Sequence, residues 1–162
     1  MSNNYAESLR IEEYRALKSE MLLRIAIQNI TLFTTVMLFI PAALLIVIHP
    51  NLAGLIALAY ATANLSLAMQ WCHQGIRQCN LKQAVLARDK AAERQDSWEE
   101  WLPDQRPKNL LGSRWFVSTK LVFIGLSTGS ITLSLKDLGL ANIFATIVLI
   151  ITITALLTNP KE

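Results

Sequence analysis

Cys72, His73 and Cys79 are the residues whose types most suggest chemistry in this chain. Thiolate and imidazole are ordinary zinc ligands. Their spacing works against that use. On a helix, positions 72 and 79 stand two turns apart, about 10 Å, which is too far for both sulfurs to hold one ion unless the helix breaks at Gly75. The expected role of the two thiols is that of small apolar packing groups. Glu99 and Glu100 form the other suggestive pair. Adjacent residues diverge on a helix, so they make a poor general acid and base. The chain carries no phosphate-binding glycine loop, no nucleophile elbow and no His-Glu-x-x-His motif. The expectation is a protein that is not an enzyme, with no catalytic residue, no cofactor and no metal.

Polar side chains in apolar surroundings are the remaining candidates. The chain has 162 residues, 52% of them apolar and 17% charged. The apolar residues lie in four blocks of about 20, close to the length a helix needs to cross roughly 30 Å of hydrocarbon. The expected spans are residues 29–48, 52–71, 116–135 and 138–157. Asn64 sits in the middle of the second, where an amide needs a partner on another helix or water in a pore. The third reads GLSTGSITLS over residues 125–134. Gly125 and Gly129 have the spacing that lets helices approach closely, and Ser127, Thr128 and Thr132 accompany them. These residues are candidates either for helix packing or for lining a water or ion path at an oligomer axis. Pro41, inside the first span, predicts a kink. No Asp, Glu, Lys, Arg or His lies deep in any span. Ion-coupled pumps and antiporters usually use such groups, so their absence argues against that class and does not exclude a passive pore.

The elements that position these residues follow from the pattern. Ile11, Tyr14, Leu17, Met21 and Ile25 recur at three and four, which predicts an amphipathic helix over residues 4–28. It holds four acids and four bases, so it is not a polybasic lipid-binding arm. No Gly or Pro separates it from the first span, so the two read as continuous. The first apolar run starts near residue 29 behind this charged segment, an arrangement that predicts a retained span and not a cleaved signal peptide. His49-Pro50-Asn51 is a turn. In the second span, Ala57 with Ala61 and Ala59 with Ala63 have close-packing spacing. The fourth span, rich in Ile, Leu and Thr, reads as lipid-facing.

The polar run over residues 72–115 holds eight of the fifteen Lys/Arg and six of the twelve Asp/Glu. Residues 72–95 are rich in helix formers, which predicts that the second span runs on as one long helix. Ser97 and Glu100 make a capping box that would start a short new helix bearing Trp98 and Trp101 and ending at Pro103. Trp98, Trp101, Arg106, Lys108, Arg114 and Trp115 are candidates for contact with a partner or with the membrane surface. The run's net charge of +2 comes from mixed signs, so nucleic acid is not an expected partner.

If all four spans cross, one side of the membrane receives fourteen Lys/Arg, counting Lys120 with the nearby entry, and the other receives Lys136 alone. The positive-inside rule then places both termini and residues 72–115 in the cytoplasm of a bacterial or archaeal cell, with the spans in its inner membrane. Each half becomes a cytoplasmic helix followed by an in–out–in hairpin. LKSEMLLR at residues 17–24 and LKQAVLAR at 81–88 share four of eight positions, which a duplication or chance explains equally well.

The RIEEYRALKSEMLLRI helix leading into the first span, and the SWEEWLP turn of the central run, resemble parts of small multi-span membrane proteins of prokaryotic antiphage systems. That class includes SLATT-type effectors and the membrane component of Kiwa. The resemblance covers general organisation, and four spans depart from the two usual in the SLATT pattern. It implies cytoplasmic helices that oligomerise or meet a soluble partner. The expected fold is all-α and polytopic, with four transmembrane helices in two hairpins and cytoplasmic helical extensions. The expected function is a non-enzymatic homo-oligomeric effector or sensor that changes membrane packing or permeability in response to a cytoplasmic partner or signal. The alternative is an anchor that recruits a soluble cytoplasmic protein without conducting ions.

Overall fold

The computed structural model describes residues 2–91, 115–135 and 139–158. Among them are four α-helices and one short 3-10 turn, with no strand. Helix α1 covers Ser2–Ile48 and α2 covers Ala53–Ala91. Helix α3 covers Trp115–Ser134 and α4 covers Leu140–Thr158.

The lengths of α1 and α2 follow from what they lack. Residues 2–48 contain no glycine and one proline, Pro41, and the helix continues through it. The amphipathic segment and the first apolar block are therefore one element. It stops where Pro50 biases His49 out of the helical region. His49 has φ −120° and ψ 71°, and Pro50–Leu52 forms the 3-10 turn, closed by the Leu52 N–H donating to the His49 carbonyl at 3.0 Å. Helix α2 then runs for 39 residues, well past the second apolar block, as its Ala, Leu, Gln, Lys and Arg content favours.

Three helices contain stretches long and apolar enough to cross a membrane: Ile11–Ile48, Pro50–Ala87 and Leu140–Thr158. The exposed residues agree. Phe33, Leu44, Val47, Leu55, Ile143, Phe144 and Ile150 all face outward, an apolar surface far larger than a soluble protein tolerates.

Helix α2 is central. It packs most extensively on α1 and α4, and α3 touches the other three helices. Helices α1 and α2 run antiparallel, and Arg24–Gln74, Gln28–Trp71 and Thr35–Tyr60 side-chain bonds hold their register. Small residues let neighbouring helices approach α2: Ala53, Ala57, Ala61 and Ala68 are fully or almost fully buried. Near the turn, Ile46 packs with Ala53 and Ala57. At the other end, Ala68, Trp71, Phe123 and Leu156 form a cluster joining α2, α3 and α4, with Leu32 of α1 against it.

Candidate functional site

The interior of this bundle is unusually polar. Among the described residues, Thr31, Thr35, Asn64, Thr119, Ser127, Ser130, Ser134, Asn142 and Thr152 are buried, alongside eleven buried apolar residues. In hydrocarbon, a hydroxyl or amide is favourable only where it finds a partner inside the protein.

Most find one on their own helix. Thr31 and Thr35 donate to the carbonyls four residues back, as does Thr152. Ser130 and Ser134 donate to carbonyls three residues back. Back-bonding of this kind leaves the Thr31, Thr35, Ser130 and Thr152 hydroxyl hydrogens unavailable to neighbouring helices, whereas the Ser134 hydroxyl also reaches Asn142 of the next helix.

Two amides work between helices. The Asn64 Nδ2 donates to the Phe123 carbonyl at 2.8 Å and to Ser127 Oγ at 2.5 Å, tying the middle of α2 to α3. Its Oδ1 is buried and has no hydrogen-bond partner. Asn142 Nδ2 donates to the Ser134 carbonyl at 3.1 Å, and its Oδ1 accepts from Ser134 Oγ at 2.6 Å. That pair clasps the last turn of α3 to the first turn of α4. A third tie sits at the opposite end, where Lys120 Nζ donates to the Leu156 carbonyl at 2.6 Å. The ammonium there meets the negative end of the α4 dipole. Lys120 thus reaches the end of a neighbouring helix.

Helix α3 carries the candidates and divides them. Thr119, Phe123, Ser127, Ser130 and Ser134 recur at four, four, three and four, and all are buried. Leu121, Gly125, Thr128 and Thr132 recur at four, three and four on the opposite side, and all are exposed. Thr128 and Thr132 return their hydroxyls to the Ile124 and Thr128 carbonyls. The two glycines differ likewise. A Cβ on Gly129 would lie 3.5 Å from the Phe39 ring of α1, whereas one on Gly125 would meet nothing within 4 Å. Residues that share one short motif therefore do not share one surface. The sequence missed Ser134 and Asn142 as a pair. Their buried face could have been read from the three-four recurrence along α3, but nothing local to either residue marks the contact.

Gly129 also lies beside an aromatic step. The Phe39 and Tyr60 rings meet edge-on at 5.6 Å between centroids, and the Tyr60 hydroxyl donates to the Thr35 carbonyl at 3.2 Å. One level away, Trp71 and Phe123 meet at 6.0 Å. Both pairs fill the space beside the Asn64 level.

Pro41 is exposed on α1. Trp115 begins α3. Trp98, Trp101, Arg106, Lys108 and Arg114 lie outside the described residues. Cys72 and Cys79 are free, half-buried thiols on α2. Among the described residues, no three His, Cys, Asp or Glu side chains gather as a metal site. Comparison with protein-family models, curated proteins and solved structures yields no match to this chain.

Proposed function

We propose that this chain is a homo-oligomeric inner-membrane effector or sensor that does no chemistry of its own and acts on membrane permeability, in antiphage defence. All four helices cross the bilayer. Both termini and residues 72–115 face the cytoplasm, as the fourteen-to-one distribution of Lys/Arg favours. A soluble cytoplasmic protein or signal acts on the central segment, and α2, which runs from that segment to the outer turn, carries the change into the spans.

The observation that carries this reading is the two-sidedness of α3. Its inner face is fixed by Asn64, Asn142 and Lys120. Its outer face presents Gly125, Thr128 and Thr132, small enough for a second copy to approach closely. Copies meeting through that face would bring backbone and hydroxyl groups to a common axis, where a modest rotation opens a hydrated path. Within one protomer the buried hydroxyls are already bonded, so the path forms between protomers.

Ion flux from potassium-loaded liposomes containing the protein is the direct test, paired with membrane depolarisation in cells expressing it. Flux several-fold above protein-free liposomes is expected. If neither assay responds, with or without the cytoplasmic partner, the permeability reading is wrong, and an anchor that recruits a cytoplasmic protein replaces it.

A further inference from the structure

Outside the bundle core, the two long helices enclose an open groove of about 300 Å³ lined by Glu20, Arg24, Arg77, Asn80 and Leu81. We propose that this groove binds the phosphodiester of an anionic phospholipid. The inference rests on α1 and α2 crossing the bilayer.

Depth is the first argument. Arg24 lies five residues before the start of the first apolar block and Arg77 six residues after the end of the second. At 1.5 Å per residue, both sit roughly 8–9 Å beyond the hydrocarbon. The interfacial layer on each side of a bilayer is about 5–8 Å thick, so the arginines stand at its outer edge, within side-chain reach of lipid phosphates. Basic grooves between membrane helices at this level are suited to acidic headgroups.

Donors and charge are the second. Arg24 is only partly committed: one terminal nitrogen donates to Gln74 Oε1 at 3.0 Å and the other pairs with Glu20, while its Nε is buried without a partner. Arg77 and Asn80 are exposed, and among the described residues Arg77 makes no ion pair. With Glu20 offsetting one guanidinium, the groove keeps a charge of +1, which matches a singly charged phosphodiester. A small shift of Arg24 would give Nε a phosphate oxygen, and Arg77 would close from the other helix.

The surroundings favour a lipid over a free phosphate. Met69 and Ile76, on the membrane side of Arg77 and seven residues apart on one face of α2, are exposed large apolar side chains. Acyl chains can lie on them while the headgroup occupies the groove.

The test uses the whole chain in nanodiscs of equal phosphatidylglycerol and phosphatidylcholine, with retained lipids counted by native mass spectrometry. Phosphatidylglycerol should be retained roughly fivefold or more over phosphatidylcholine, the effect expected of one unpaired arginine at a membrane surface. Arg77→Gln and Arg24→Gln should each bring the ratio near parity. Arg15→Gln, an exposed arginine of α1 outside the groove, should not. Arg77 is exposed, so its variant should fold, as circular dichroism would confirm. Equal retention by the wild type, or an unchanged ratio in Arg77→Gln, overturns the site. Displacement of phosphatidylglycerol by millimolar inorganic phosphate overturns lipid as the occupant. Release of the wild type from membranes by alkaline carbonate would instead overturn the crossing of α1 and α2.

Discussion

Asn64 is the residue on which the helix packing depends most specifically. It is 1% exposed, and its amide makes two bonds to α3 from the middle of α2. Interhelical hydrogen bonds in membranes average about 0.6 kcal/mol and reach about 1.7. Asn64→Ala loses them and leaves space as well, so a loss of about 1–2 kcal/mol is expected in detergent-titrated unfolding followed by circular dichroism. Thr62→Ala provides the contrast. Thr62 is exposed and bonds only to the Leu58 carbonyl of its own helix, so a change within about 0.5 kcal/mol is expected. Equal losses in the two variants would show that the Asn64 bonds do not hold α3. A polar residue in the middle of an apolar block announces that a partner exists, because hydrocarbon offers none. Which carbonyl and which hydroxyl answer it depends on the crossing of α2 and α3, and no local pattern encodes that.

At the scale of the element, α3 concentrates the contrast between motif and surface. Gly125 and Gly129 have the spacing of a packing motif, but only Gly129 lies against the protein's own Phe39. Gly129→Leu should overpack that contact and cost about 1–3 kcal/mol of stability. Gly125→Leu meets open space, so the protomer should unfold at nearly the wild-type detergent concentration. What it should disturb is assembly: cross-linking in membranes is expected to drop several-fold, and liposome flux with it. Wild-type cross-linking and flux in Gly125→Leu would remove this face from the oligomer interface. The four-residue spacing was legible because helical periodicity is local. The facing of each glycine was not, since the azimuth of α3 is fixed by Asn64, Asn142 and Lys120 contacts with helices α2 and α4. Helices α1 and α2, by contrast, were legible almost whole. The continuity of α1 and the extension of α2 past its apolar block both follow from helix-forming runs without breakers.

Among the described residues, polar side chains such as Asn64, Asn142 and Thr152 are buried while many of the large apolar ones face outward. Helix α4 shows this most clearly: Asn142, Ala145, Thr152 and Leu156 are buried, while Ile143, Phe144, Ile147, Ile150 and Ile151 are exposed. In a bilayer that is the stable arrangement, since lipid solvates isoleucine as well as the interior does and bonded hydroxyls need protein. The proposed topology makes a whole-molecule prediction. In a Cys72→Ala, Cys79→Ala background, Asn51→Cys at the turn should react with an impermeant thiol reagent added outside intact cells. Ser8→Cys should react only after the membrane is opened. The reverse pattern would invert the assignment of sides.

The amino-acid order alone determined the helical content, the apolar blocks, the long extensions of α1 and α2 and the uneven distribution of positive charge, because helix propensity, hydrophobic run length and net charge are properties of neighbouring residues. Tertiary structure decided the rest. It placed Ser127 on Asn64 and Ser134 on Asn142, turned Thr128 and Thr132 outward, separated the two glycines of one motif, and brought Arg24 and Arg77 to one groove. Each of those depends on how one helix is rotated against another, and that rotation is set by contacts between residues as many as 63 positions apart.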